Sequence, residues 1–211
     1  MNKVHKFQSQ FNAAGVWRAQ EQDKSTQPSV ASQYANLDAA LPGGGWPQGA
    51  ITEILCSQEG IGELRLVMAA LAQLSHEGRW LTWVAPPYVP YAPALAAHGV
   101  DVSKILVVHA KAHDDMLWAA EQALRSGTCG AVLMWVQNIK DRQLHRLQLA
   151  AKEGGSLGLL FRPSWSAEQA SPAVVRVQLH GTQEELQLDI IKRRGAWPTG
   201  PIHLDNKQFD A

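Results

Sequence analysis

From Ile51 onward, apolar positions fall into short solid runs separated by stretches where they recur every three or four residues. Ile51–Cys56, Trp80–Ala85, Ile105–His109, Ala131–Val136 and Leu157–Phe161 are near-continuous apolar runs, and predict strands buried on both faces. Between them, Gly60–Glu77, Pro90–His98, Asp114–Ser126 and Lys140–Glu153 carry helical spacing. Gly78, Gly99, Gly127 and the pair Gly154-Gly155 serve as stops, and Asp114 or Asp115 as the cap of the third helix. This alternation predicts an α/β fold, a three-layer αβα core with a mostly parallel sheet. After Pro163 the period shortens to two. Ala173–His180 and Glu185–Lys192, meeting across Gly181-Thr182, predict an antiparallel β-hairpin with one exposed face, and Pro201–Leu204 a third run beside it. The C-terminal hairpin region, about 172–205, makes the sheet mixed.

The first 35 residues follow a different pattern. Val4, Phe7, Phe11 and Ala14 have helical spacing, which predicts a short amphipathic helix over residues 3–18. Gln20 to Gln33 is polar, with Ser25, Thr26, Pro28, Ser29 and Ser32, a composition suited to a flexible tether. Residues 1–35 therefore read as a helix and linker, and 36–211 as the main domain.

Composition narrows the function. The 211 residues are 45% hydrophobic and carry no formal net charge, with an isoelectric point near 7.1. No global basic field exists to hold nucleic acid, so any weak DNA contact must come from a local patch. Cys56 and Cys129 stand in apolar contexts and read as reduced core residues. No apolar run reaches the length a bilayer requires, which points to a cytoplasmic chain without membrane contact. Eight tryptophans against three tyrosines leave some indoles available as partner anchors.

The stretch from Leu37 to Leu66 organises the rest. Gly43, Gly44 and Gly45 form a turn that favours residues free of a Cβ; a strand follows, then Cys56-Ser57-Gln58-Glu59-Gly60-Ile61-Gly62-Glu63-Leu64, then a helix. Strand, glycine loop and helix is the layout of a phosphate-binding loop, whose backbone N–H groups and helix N-terminus face an anion. Gly60 and Gly62 are in place, but the Lys-Ser/Thr that should follow is Glu63-Leu64. An acid stands where the chemistry needs a base.

Leu37 to Glu53, with its Leu-Asp pair, glycine run and Pro-x-Gly step, resembles the opening of the RecA-like core, as do Ala94 to Leu106 and Leu124-Arg125-Ser126-Gly127. Within that superfamily the chain resembles the ImuA group, SulA-like proteins of a DNA-damage mutagenesis cassette. The matching residues are Gly60 to Arg65, Ala85-Pro86-Pro87-Tyr88, Pro90 to Leu95, Leu117 to Leu124, and the tail ending Lys192-Arg193-Arg194-Gly195. It is also similar to SulA, the SOS-response inhibitor of the cell-division GTPase FtsZ. That likeness runs through Arg79-Trp80-Leu81-Thr82, Ala85-Pro86-Pro87, Trp135 and Phe161-Arg162-Pro163. The glycine run and basic tail favour the ImuA side.

The resemblance implies a degenerate ATPase fold. The catalytic glutamate's place holds Pro86-Pro87, the metal-binding aspartate's place Met134-Trp135-Val136, and the lysine and hydroxyl are missing. No cofactor and no enzymatic activity are expected. The implied role is a non-catalytic SOS adaptor of translesion DNA synthesis. Its partners would be an ImuB-like polymerase homologue or RecA. The alternative is a SulA-type inhibitor that binds FtsZ and blocks its polymerisation. Assembly with further copies of the chain stays open.

Contact surfaces must then carry the work. Tyr88 and Tyr91, in the proline-stiffened segment Pro86 to Pro93, are candidates for a protein interface. Arg142 and Arg146 share a helix face with His145 and Leu149, a face that equally suits ordinary solvation. Lys192, Arg193, Arg194 and Trp197 could neutralise phosphates and stack on a base, although strand alternation puts Arg193 opposite the other two cations. Arg65, two positions past the lysine slot, should point away from the loop. His109 and His113 straddle a strand end and do not have the spacing of a metal pair.

Overall fold

A computed structural model describes residues 28–181, 186–194 and 197–204. The helix expected over residues 3–18, the tether before Pro28, and Thr182, Gly195 and Ala196 lie outside the described residues. In chain order the elements are β1 (Ser29–Val30), α1 (Ala35–Ala40), β2 (Trp46–Pro47), β3 (Ala50–Cys56), α2 (Arg65–His76), β4 (Trp80–Val84), α3 (Ala92–Ala97), β5 (Ile105–Val108), α4 (His113–Arg125), β6 (Cys129–Trp135), α5 (Asp141–Gly154), β7 (Leu157–Pro163), β8 (Val175–Gly181), β9 (Leu186–Arg193) and β10 (Thr199–Leu204).

Eight strands form one sheet in the order β10-β9-β8-β3-β7-β6-β4-β5. From β8 to β5 neighbours are parallel, while β9 runs antiparallel to both β8 and β10. This is the mostly parallel, helix-covered layout expected, with the antiparallel addition at one end. β3 lies inside the sheet between β7 and β8, and Ala50 to Cys56 are all buried. A strand buried on both faces does not alternate apolar with exposed polar residues, hence its near-continuous apolar run, broken only at Thr52 and Glu53.

The sheet divides two cores. On one side Leu37 of α1, Leu66, Leu71 and Leu74 of α2, and Leu95 of α3 pack against Leu81, Leu133 and Leu159. On the other, Met116, Ala120 and Leu124 of α4 and Leu144, Leu147 and Ala151 of α5 cover Ile51, Val132 and Leu160. Position 154, the last of α5, is glycine because α4 comes so close: a Cβ there would lie 2.0 Å from the Leu124 carbonyl oxygen, and the left-handed Gly155 ends the helix.

Several boundaries differ from expectation. Part of the polar run expected to be tether is packed: Ser29 and Val30 pair with Pro47 and Trp46, and Val30, Ser32 and Trp46 are fully buried. The Trp46 indole donates to the Leu66 carbonyl at 3.2 Å, fixing this ribbon to α2. Gly43 and Gly44 adopt positive φ, whereas Gly45 is extended and needed for closeness, since a Cβ would meet the Val30 oxygen at 2.4 Å. α2 begins at Arg65 rather than Gly60, because the left-handed φ of Gly60 and Gly62 (81° and 111°) cannot belong to a helix. α4 is capped by Ala112, with no side-chain cap; Asp114 and Asp115 instead sit inside its first turn, where carboxylates complement the helix dipole.

Candidate functional site

β3 delivers the loop 57–64 to the carboxyl edge of the sheet, where open α/β folds place their ligands. Its conformation is held from within. Glu63 is 6% exposed; its Oε1 accepts from the Gly60 N–H at 2.9 Å, and its Oε2 from Gly60 at 3.1 Å and Gly62 at 3.2 Å. These are the amides that such a loop offers to a phosphate. A phosphate does not fit against these two glycines: their amides are taken by a carboxylate that would also repel any phosphate brought near it. Arg65 offers no replacement. It is absent from the lining of the adjacent cavity, and its charge acts on the Tyr34 hydroxyl.

That cavity, about 410 Å³, opens between the loop and the ends of β4, β6 and β7. Trp135, Phe161, Pro87 and Ala85 give it apolar walls, and Ser57, Gln58, Glu59, Glu63 and Gln137 its polar lining. The Trp135 ring stacks on Phe161 with centroids 4.7 Å apart and on Trp83 at 5.5 Å. Ala85, at the end of β4, takes φ 48°, an uncommon conformation for a residue with a Cβ; Pro86-Pro87 follow where a catalytic glutamate would stand. Cys56 lies at the cavity's base, and its thiol is pushed from 9.0 up to about 12, first by burial and then by the Glu63 and Glu59 carboxylates. Among the described residues, no group of three or more His, Cys, Asp and Glu could hold a metal ion.

Beneath the sheet's edge lies a network that sequence reading did not anticipate. Glu53, fully buried, accepts from Arg162 at 2.5 Å through Oε1 and from Arg176 at 2.5 Å through Oε2. Arg162 also donates to Gln169, and Arg176 to the carbonyls of Ser166, Ala167 and Gln169. One carboxylate on β3 thus ties β7, β8 and the turn joining them. The available signal was a charged residue inside each of the apolar runs of β3 and β7, since such a residue needs a buried partner; on alternating β8, Arg176 reads as an ordinary polar position. The partners stand 109 and 123 positions away, so spacing alone could not pair them.

The remaining candidates are scattered. Tyr88 and Tyr91 project from the β4–α3 segment, 74% and 72% exposed, with Val89 beside them at 80%. Arg142, His145, Arg146 and Leu149 do share an exposed face of α5, but Arg146 is paired with Glu121 of α4. On β9, Lys192 donates to the Ser171 carbonyl. Arg193 donates to the carbonyls of Ala40 and Trp197 on the opposite side. The Arg194 side chain lines a different groove, near Pro28 and Leu149. Trp197 is exposed. Lys192 and Arg194 are near enough for the Arg194 charge to help lower the Lys192 pKa, behind the larger effect of burial, while Arg193 is turned to the other side.

Fold and loop together define a class: an α/β domain of phosphate-loop design in which Glu63 and Leu64 stand in place of the lysine and hydroxyl of an ATPase. Comparison with known proteins identifies the family. A family model described as cell division inhibitor SulA matches residues 49–158, and the chain belongs to that family. The match takes in the loop, the cavity walls contributed by β4 and β6, and the β4–α3 segment. The cell division inhibitor SulA of Edwardsiella piscicida is 36% identical over 98 residues, 46% of this chain and 58% of that protein. The corresponding protein of Photorhabdus laumondii is 32% identical over 115 residues, 54% of this chain and 65% of its own. The chain thus spans about three-fifths of these relatives. A crystal structure of SulA from Pseudomonas aeruginosa aligns with 53% of this chain and 97% of its own, at 29% identity and a TM-score of 0.45.

Proposed function

We propose that this chain is a SulA-type division inhibitor, a cytoplasmic protein of the SOS response that binds the FtsZ subunit and blocks its polymerisation. The observation that carries this reading is the coincidence of family and site. The matched segment contains a loop with Glu63 in the lysine position, its carboxylate holding the amides of Gly60 and Gly62, which favours action by contact over turnover. The Tyr88–Tyr91 segment supplies an exposed contact surface: prolines limit the entropy lost on docking and each tyrosine offers large area with few rotors. No helix among the described residues is long and apolar enough to cross a membrane.

The test is sedimentation of FtsZ polymers with GTP and increasing amounts of the purified chain. Inhibition at near-stoichiometric ratios is expected. Full polymer yield at a tenfold excess rules the reading out.

A second reading, an ImuA-like adaptor contacting an ImuB-like polymerase homologue or RecA, draws on what lies outside the match. β8, β9 and β10 extend the sheet beyond residue 158 and include the Lys192-Arg193-Arg194 segment of that resemblance. Co-purification with the polymerase homologue, with FtsZ polymerisation unaffected, would select it.

A further inference from the structure

We propose that β5 is a self-pairing edge: two copies of the chain join along it, antiparallel, about a two-fold axis at Leu106. The sheet ends in two unlike strands. β10, at one end, carries Gly200 and Pro201 and a break in register between Thr199 and Ile202. Proline lacks the N–H that a further strand would need, and such irregularity is how edges are kept from pairing. β5, at the other end, is paired on one side only, with β4. Its sequence is Ile-Leu-Val-Val, without a charge, a proline or a register shift against β4, and none of the four side chains is buried. Leu106 is 50% exposed, and Trp80 of β4 and Val102, just before the strand, are exposed beside it.

The backbone fixes the register. The Val108 carbonyl turns toward β4, where it accepts from the Ala85 N–H at 2.9 Å. Successive residues of a strand present their N–H and C=O to opposite sides, so Ile105 and Val107 turn theirs outward. The Ile105 N–H is already bonded to the Val102 carbonyl, which leaves the Val107 N–H and the two carbonyls on the open side. Setting Ile105 of one copy opposite Val107 of the other gives that N–H the Ile105 carbonyl, twice by symmetry, and brings Leu106 against Leu106. The same register decides the occupant. Asp101 precedes the strand and Lys111 follows it, equally far from Leu106 in sequence, so a two-fold places each opposite the other in two ion pairs. Asp101 gives its Oδ1 to Ser103 and has Oδ2 to offer. The edge is thus complementary, in shape and in charge, to a second copy of itself.

Sedimentation velocity of the full chain over about 5–500 µM should show a monomer–dimer equilibrium with a Kd of roughly 10–100 µM, the strength of a small interface. Exchange of the Val107 N–H, followed by NMR, should slow as the dimer forms. Leu106→Lys sets two ammonium groups opposite each other and should weaken the dimer about tenfold or more while keeping the melting temperature. Asp101→Lys and Lys111→Asp should each weaken it about fivefold or more, because two exposed pairs turn repulsive. Mixed in equal amounts, these two variants should restore it, since one copy then carries lysine at both positions and the other aspartate at both. Lys111→Asp, at an exposed position, decides the matter alone if Asp101→Lys loses its fold along with its Ser103 contact. A monomer at the highest concentration, a dimer indifferent to Leu106→Lys or Lys111→Asp, or no rescue on mixing the folded variants overturns the proposal. So does slow exchange at Val107 in the monomer, which would assign the edge to residues 1–27 of the same chain. Slowing only on addition of FtsZ would assign it to that partner and overturn the proposal equally. The arms without FtsZ are separate from the division reading.

Discussion

Replacing Glu53 by glutamine should destabilise the protein more than any surface change. The carboxylate is fully buried and is held by two guanidiniums that are themselves 1% and 6% exposed. Cross-strand register sets Glu53 directly opposite Arg176, so the pair cannot separate without breaking the β3–β8 ladder. Removing one partner of a buried ion pair leaves the other charge uncompensated, at a cost of about 3–5 kcal/mol. Here one anion serves two cations. Glutamine keeps one acceptor oxygen, and both arginines retain bonds to Gln169 or to backbone carbonyls, which places the expected loss near the lower figure. At about 2–4 °C per kcal/mol for a chain of this size, 3 kcal/mol lowers Tm by about 6–12 °C. Urea titration followed by circular dichroism measures the loss, and calorimetry the Tm. Glu53→Gln combined with Arg162→Met should recover part of it by removing one orphaned charge. A loss under about 1 kcal/mol for the single variant would show that water or backbone carbonyls compensate the arginines, and the reasoning would fail.

Other consequences can be checked with the same protein. Stability should fall as pH rises from 9 to 12. The unfolded chain releases the Cys56 and Tyr34 protons near 9.0 and 10.0, while burial holds both to about 12 in the fold, so the unfolded state binds fewer protons across that window. Urea midpoints at pH 8 to 11 report this, and Cys56→Ala or Tyr34→Phe should flatten the slope. Gly154→Ala should cost about 1–3 kcal/mol, because its methyl group would lie 2.0 Å from the Leu124 oxygen and α4 must move; an unchanged Tm refutes that packing. Tyr88→Ala with Tyr91→Ala should leave the melting curve within about 0.5 kcal/mol and abolish FtsZ inhibition, and retained inhibition removes that segment from the interface.

The order of strands and helices was legible because burial leaves a periodic trace: Ala50–Cys56 and Cys129–Trp135 are near-continuous apolar runs, and Gly78, Gly99 and Gly127 each end an element at positive φ. Chemical identity at single positions was legible too, since Glu63 in the lysine slot is visible in one dimension. What the chain order could not supply was the bonding of these groups. Glu63 was legible as an acid in a basic slot; only the folded loop reveals that its oxygens occupy the amides of Gly60 and Gly62. The pairing of Glu53 with Arg162 and Arg176, the pairing of Val30 with Trp46, and the docking of Lys192 on Ser171 and of Arg193 on Ala40 depend on contacts between distant segments. Periodicity is a local consequence of which face is buried, whereas a hydrogen bond is decided by where a remote strand arrives.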